Sequence, residues 1–142
     1  MDRKEFLRLM GGSCLAAAGI TTFFSGCTSI HKVSALISDN KLKLSKSEFS
    51  TDQEKLLEVV LVRATSLAFP IALYRINPKE YIALWMECTH KGCEVNAQPN
   101  YLVCPCHGSE FDSKGNVLQG PAETNLKTFN TSTDHENIYI HL

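Results

Sequence analysis

Two short windows, Cys88-Thr-His-Lys-Gly-Cys93 and Cys104-Pro-Cys-His-Gly-Ser109, hold four of the chain's six cysteines and two of its five histidines. Cys88 and His90 are one residue apart, and Cys104 and His107 two, so each window can turn as a tight loop and aim a sulfur and a ring nitrogen at one point. Two such loops make a four-ligand set of two thiolates and two imidazoles. Zinc accepts that set in a tetrahedral structural site, but Cys93 and Cys106 are then left over and need their own explanation.

The two windows resemble, box for box, the two-part motif of the Rieske iron-sulfur proteins, C-T-H-x-G-C followed by C-P-C-H-G-S. The resemblance covers about the last 95 residues. It implies a [2Fe-2S] cluster with one iron on Cys88 and Cys104, the other on His90 and His107, and a disulfide between Cys93 and Cys106. Two neutral imidazoles in place of two thiolates leave the cluster with less negative charge, which raises its potential into a range of roughly −150 to +300 mV. A structural zinc site is the plainer alternative. The implied disulfide fits an oxidising compartment.

The same resemblance assigns supporting roles. Ser109 matches the family serine whose hydroxyl bonds a bridging sulfide. Phe111 stands where quinol-oxidising members carry tyrosine, whose hydroxyl bonds a ligand cysteine, so one stabiliser of the reduced state is missing. Gly120-Pro121-Ala122 matches the proline-containing loop that covers the cluster from a third side. Gly92 and Gly108 fall where a loop packs its backbone closely and a β-carbon is unwelcome. Lys91 replaces the usual leucine and puts a strongly hydrated charge on the tip. Trp85 reads as core packing, and His31, His135 and His141 as solvated side chains.

The chain begins with a segment that is not fold. Met1 to Glu5 is charged, Leu9 to Gly26 is small and apolar, and Cys27 follows, the layout of an export signal. Arg3-Lys4-Glu5-Phe6-Leu7-Arg8 resembles a twin-arginine motif with lysine as its second basic residue. Phe24-Ser25-Gly26-Cys27 resembles a bacterial lipobox in which Cys27 is lipidated, although leucine is commoner at the Phe24 position. The run is barely bilayer length and rich in Gly, Ser and Thr, so a retained membrane anchor is the weaker reading. Cys14 has no assigned task. The expected organisation is a signal or anchor over residues 1–27, a Ser-rich tether over 28–40 with a strand possible at Val33 to Ile37, and one domain over 41–142 whose cluster-binding part runs from about 87 to 111.

From Lys41 onward the pattern is β. Lys41-Leu-Lys-Leu44 alternates with period two, Leu56 to Thr65 and Ile71 to Ile76 are branched apolar runs, and Tyr81 to Met86 leads into the first window. Pro70, Asn77-Pro78 and Gly115-Asn116 punctuate these as turns. Thr51 to Leu57 could start a helix, but Val59, Val60 and Val62 favour a strand. Glu94 to Val103 is expected to form a short hairpin turning at Gln98-Pro99-Asn100. The reading is an all-β antiparallel sandwich or barrel with a small inserted cluster-binding subdomain.

A formal charge of −1 and the lack of any long basic run exclude a nucleic-acid binder of the electrostatic kind. The expectation is a membrane-tethered one-electron carrier of the bacterial cell envelope, with redox proteins as partners. In one reading it is the iron-sulfur subunit of a quinol-oxidising respiratory complex, with His107 taking the quinol proton and a membrane subunit or a cytochrome as partner. In another it is the small subunit of a periplasmic molybdenum oxidase resembling arsenite oxidase; a structural metal protein is the distant third. Oxygenase-type Rieske ferredoxins fit poorly because they lack cysteines matching Cys93 and Cys106.

Overall fold

The computed structural model describes residues 29–142. The export-signal features, including Arg3, Lys4, Cys14 and the proposed lipidation site Cys27, lie outside the described residues. No helix among the described residues is long and apolar enough to cross a membrane.

Among the described residues twelve strands follow in order: β1 (His31–Ser34), β2 (Ile37–Ser38), β3 (Lys41–Ser45), β4 (Val59–Arg63), β5 (Ile71–Asn77), β6 (Glu80–Trp85), β7 (Asn96–Ala97), β8 (Tyr101–Val103), β9 (Glu110–Asp112), β10 (Val117–Gln119), β11 (Thr128–Thr133) and β12 (Asn137–His141). One sheet has eight strands in the order β1-β4-β5-β6-β11-β12-β3-β2, and a second has four in the order β10-β9-β8-β7. The small sheet is inserted between β6 and β11, as the all-β reading expected. Every pairing is antiparallel except β1 on β4.

Two segment boundaries are corrected, and the helix possible at Thr51 to Leu57 gives way to the strand that Val59, Val60 and Val62 favour. Within the stretch expected to be a tether, His31 to Ser34 pairs with Val60 to Arg63 and Ile37–Ser38 pairs with β3, so those residues belong to the sheet. Residues 51–57 form no helix; the only helical turn nearby is a single 3-10 turn at Lys46–Phe49, with Ser45 accepting from the Ser47 N–H. The inserted unit runs past residue 111, because β9 takes β10 as its partner across a turn in which Asp112 accepts from the N–H groups of Lys114 and Asn116.

The consecutive apolar residues within β4, β5 and β6 have a structural reason. Alternate residues of a strand face opposite sides, and here both sides are covered. Val60, Val62, Ile71, Leu73 and Ala83 pack with Leu42, Leu44, Phe49, Ile138 and Ile140 in one core. Val59, Leu61, Ala72, Tyr74, Leu84 and Met86 face the other way and pack with Val95, Leu102, Phe111 and the two cysteines Cys88 and Cys104. The three strands therefore form a wall shared by the larger sheet and the cluster subdomain. By contrast β3 faces solvent on one side, and Lys41 and Lys43 alternate with buried Leu42 and Leu44. Full burial of each such aliphatic side chain stabilises by about 1.5–3 kcal/mol.

Tyr74 also joins the units through its polar end. From β5 its hydroxyl donates to the carbonyls of Gln98 at 2.7 Å and Tyr101 at 3.1 Å, which closes the expected turn between β7 and β8 against the wall. Burial pushes its phenol pKa well above the ordinary value, which keeps the donor proton in place.

Candidate metal centre

The two windows fold as copies of one loop. The Gly92 N–H donates to the Cys88 carbonyl at 2.9 Å, and the Cys88 N–H donates to the Cys93 carbonyl at 2.8 Å. In the second window, Gly108 donates to Cys104 at 3.0 Å and Cys104 donates to the Ser109 carbonyl at 2.8 Å. Each loop closes over four residues only because the glycine takes a left-handed backbone, φ +78° at Gly92 and +80° at Gly108. A shared C-x-x-x-G spacing is the sequence trace of this symmetry.

The loops face each other. The rings of His90 and His107 approach with centroids 4.8 Å apart and planes nearly perpendicular. Cys88 and Cys104 are buried free thiols. The sulfurs sit on the inner side, His90 is half-buried, and His107 is exposed. Cys93 and Cys106 are joined in a disulfide, so neither is available as a thiolate ligand. The sulfur of Cys104 lies within 4.8 Å of both disulfide sulfurs, which places the clamp directly beside a candidate ligand rather than forming a three-sulfur site.

Two observations fit a metal group between the loops. Nδ1 of His90 is buried and has no hydrogen-bond partner, and buried ring nitrogens are seldom left so. Burial pushes the Cys88 thiol pKa up and the neighbouring Cys104 adds to this, against hydrogen bonds from the His90 backbone N–H and from Ser109. A desolvated thiol such as Cys88 ionises readily only when a cation neutralises it.

A third segment closes the site, and it reaches both loops. Gln119 Nε2 donates to the Gly108 carbonyl at 3.2 Å, Ala122 N–H donates to Ser109 Oγ at 3.0 Å, and Thr89 Oγ1 donates to the Thr124 carbonyl at 2.7 Å. Gly120-Pro121 is a cis peptide within this segment. Ser109 is fully buried, as is Phe111. Thr89 is the fixed threonine of the first window, but its partner Thr124 is not marked by the motif, and Gln119 lies outside both windows. Lys91 is exposed at the tip, as expected.

Residues 44–130 match the family model of the Rieske [2Fe-2S] domain. The chain belongs to the Rieske family. Members of this family hold a [2Fe-2S] cluster, and the two facing loops, the orphaned imidazole nitrogen and the buried thiol pair fit that group. The cytochrome b6-f complex iron-sulfur subunit of a Synechococcus strain is 46% identical over 55 residues, covering 37% of this chain and 31% of that protein. This chain thus matches under a third of that relative's length. A solved ferredoxin of Sphingomonas yanoikuyae B1 shares the fold, with TM-score 0.52, 23% identity, and coverage of 72% of this chain and 99% of the ferredoxin. A cyanobacterial plasma membrane Rieske protein from Synechocystis is similar at 30% identity and TM-score 0.49, over 72% of this chain and 87% of that one. The Rieske domain of this chain thus spans both cysteine-histidine windows and the proline-containing loop.

Proposed function

We propose that Cys88, Cys104, His90 and His107 hold the cluster and that the protein passes single electrons as the iron-sulfur subunit of a membrane-associated, quinol-oxidising cytochrome complex. The observation that carries this reading is the match to cytochrome b6-f iron-sulfur subunits. Exposure of His107 at the tip adds support, because a ligand ring that meets solvent can meet a quinol hydroxyl and take its proton. When bound, the cluster supplies one-electron transfer. The chain's own residues bury the sulfur side, keep the imidazole side accessible and clamp the two loops together.

Lys91 favours a second reading. A lysine at the tip is costly to bury in an apolar quinol pocket but suits a polar protein surface, such as that of a molybdenum-containing oxidase subunit. Tethering at Cys27 and an extracytoplasmic location remain part of the first proposal and are read from the export-signal features. Membranes from cells lacking this protein distinguish the two. Loss of quinol-dependent cytochrome reduction, restored by the native protein but not by Cys104→Ala, is the expected outcome. Quinol oxidation unchanged by the deletion sinks the first reading.

A further inference from the structure

Glu87 immediately precedes Cys88 and lies on the surface, yet its carboxylate is not free to wander. Oε2 accepts a hydrogen bond from Trp85 Nε1–H at 2.8 Å. Oε1 stands 3.4 Å from where a β-carbon on Gly92 would sit, and Gly92 is the residue whose N–H closes the loop onto Cys88. Trp85 is fixed in turn, with its ring edge-on to Phe69 at 5.6 Å and to Phe129 at 5.9 Å. Lys127 covers the Phe129 ring at 4.7 Å. The result is a carboxylate laid along the first ligand loop, in a cleft of about 640 Å³ that Cys88 and His90 also line.

Lys91 and Lys127 line the same cleft, but neither is within ion-pair distance of the carboxylate. Among the described residues the ion pairs are His31 with Glu48 and Arg63 with Glu94, and Glu87 is in neither. A mobile surface carboxylate retreats into water and is screened there. The indole N–H removes that freedom, so the negative charge stays beside a loop where an added electron must be accommodated.

We propose that Glu87, pinned by Trp85, is a positioning residue that lowers the reduction potential of the cluster held by this loop. The inference rests on the reading that Cys88 is a ligand, whereas it is independent of which partner protein donates or accepts the electron.

The test is a redox titration of the full, cluster-loaded chain at low and high salt. Glu87→Gln keeps an acceptor for Trp85 but removes the charge, and its midpoint is expected above the native one at both salt levels. Trp85→Phe releases the carboxylate, so its midpoint should approach the Glu87→Gln value as salt is added. Glu94→Gln removes a nearby charge that Arg63 already pairs, and it should shift the midpoint less. A Glu87→Gln midpoint equal to the native one, or a Glu94→Gln shift as large, overturns the proposal.

Trp85 is the chain's single tryptophan, so its emission reports the contact without reference to the cluster. Glu87→Asp, one methylene too short to hold the indole in place, is expected to shift that emission in loaded and cluster-free protein alike. If Glu87→Gln does not retain iron, Glu87→Asp decides: emission and salt dependence identical to the native protein overturn the proposal. Native protein that contains neither iron nor acid-labile sulfide removes the ligand reading itself, a failure distinct from an unshifted midpoint.

Discussion

Ser109 Oγ accepts the backbone N–H of Ala122 at 3.0 Å, so the second cysteine-histidine loop and the proline-containing loop are tied through one fully buried hydroxyl. An acceptor engaged in this way leaves the hydroxyl proton free to point elsewhere, and it lies where it favours an ionised Cys88 sulfur. Ser109→Ala removes both. It strands a buried N–H, at a cost of about 1–3 kcal/mol, and takes away a donor to the sulfur cage, so the midpoint potential should fall while iron content is retained. Chemical denaturation and a redox titration read the two effects separately. A variant with native stability and native potential would show that the hydroxyl serves neither role.

How much of this was legible in the sequence depends on the kind of contact. The two facing cysteine-histidine loops were, because their spacing makes each a tight turn, and both glycines do take a left-handed backbone. The strands from Lys41 to Trp85 were legible from β-branched runs, although only the structure shows that β4, β5 and β6 bury apolar residues on both faces because two cores share them. What escaped is long-range and polar. Tyr74 holding the Gln98 turn and Gln119 reaching Gly108 join residues that nothing local in the sequence marks, and the motif that contains Thr89 does not reveal that it reaches Thr124. The parallel pairing of β1 was missed for a related reason: of its four residues, HKVS, only Val33 packs against a core, so its pattern is polar.

The Cys93–Cys106 bridge closes a loop with a sequence separation of 13. Constraining a loop of that size in the unfolded chain is worth roughly 3 kcal/mol. Replacing both cysteines with serine should therefore leave a protein that still assembles its cluster under mild anaerobic conditions but unfolds at lower denaturant concentration. Complete loss of iron would instead assign Cys93 or Cys106 a ligand role. In the native protein neither sulfur should react with thiol reagents before reduction.

The hairpin joining β11 to β12 gives a pH dependence remote from the centre. The Tyr139 hydroxyl donates to Asp134 Oδ2 at 2.7 Å, and the N–H groups of Asn137 and Glu136 donate to Oδ1. These bonds, led by that from Tyr139, hold the Asp134 carboxyl well below its ordinary 3.8. The Asp134 bond in turn holds the Tyr139 hydroxyl above its ordinary 10.0. A depressed carboxyl stabilises the fold fully above the unfolded value and loses that contribution as pH falls through the folded one. A raised phenol acts in reverse, contributing below its unfolded value and losing the contribution as pH rises through the folded one. The stability difference between the native protein and Asp134→Asn should thus be flat from about pH 5 to pH 9 and shrink on either side. Denaturant titrations across that range check it, and a difference that persists undiminished in strong acid contradicts the assignment.

Phe111 supplies the sharpest link between sequence and potential. It is fully buried on β9, opposite Leu102 of β8, in the same core as Cys88 and Cys104. A hydroxyl added to that ring has two fates. If it reaches a ligand sulfur, it draws charge off the cluster and raises the midpoint, as the family resemblance implies for the tyrosine usual at this place. If it reaches nothing, it is a buried donor without a partner, which costs about 1–3 kcal/mol and leaves the midpoint where it was. Phe111→Tyr is expected to follow the first course, with a raised midpoint and little change in stability. Lys91→Leu provides the contrast. Its ammonium is exposed and screened by water and salt, so its removal should barely move the midpoint while changing the rate and salt dependence of electron exchange with a partner protein. A midpoint unchanged in Phe111→Tyr, together with a loss of stability, would show that the ring at this position points away from the sulfurs.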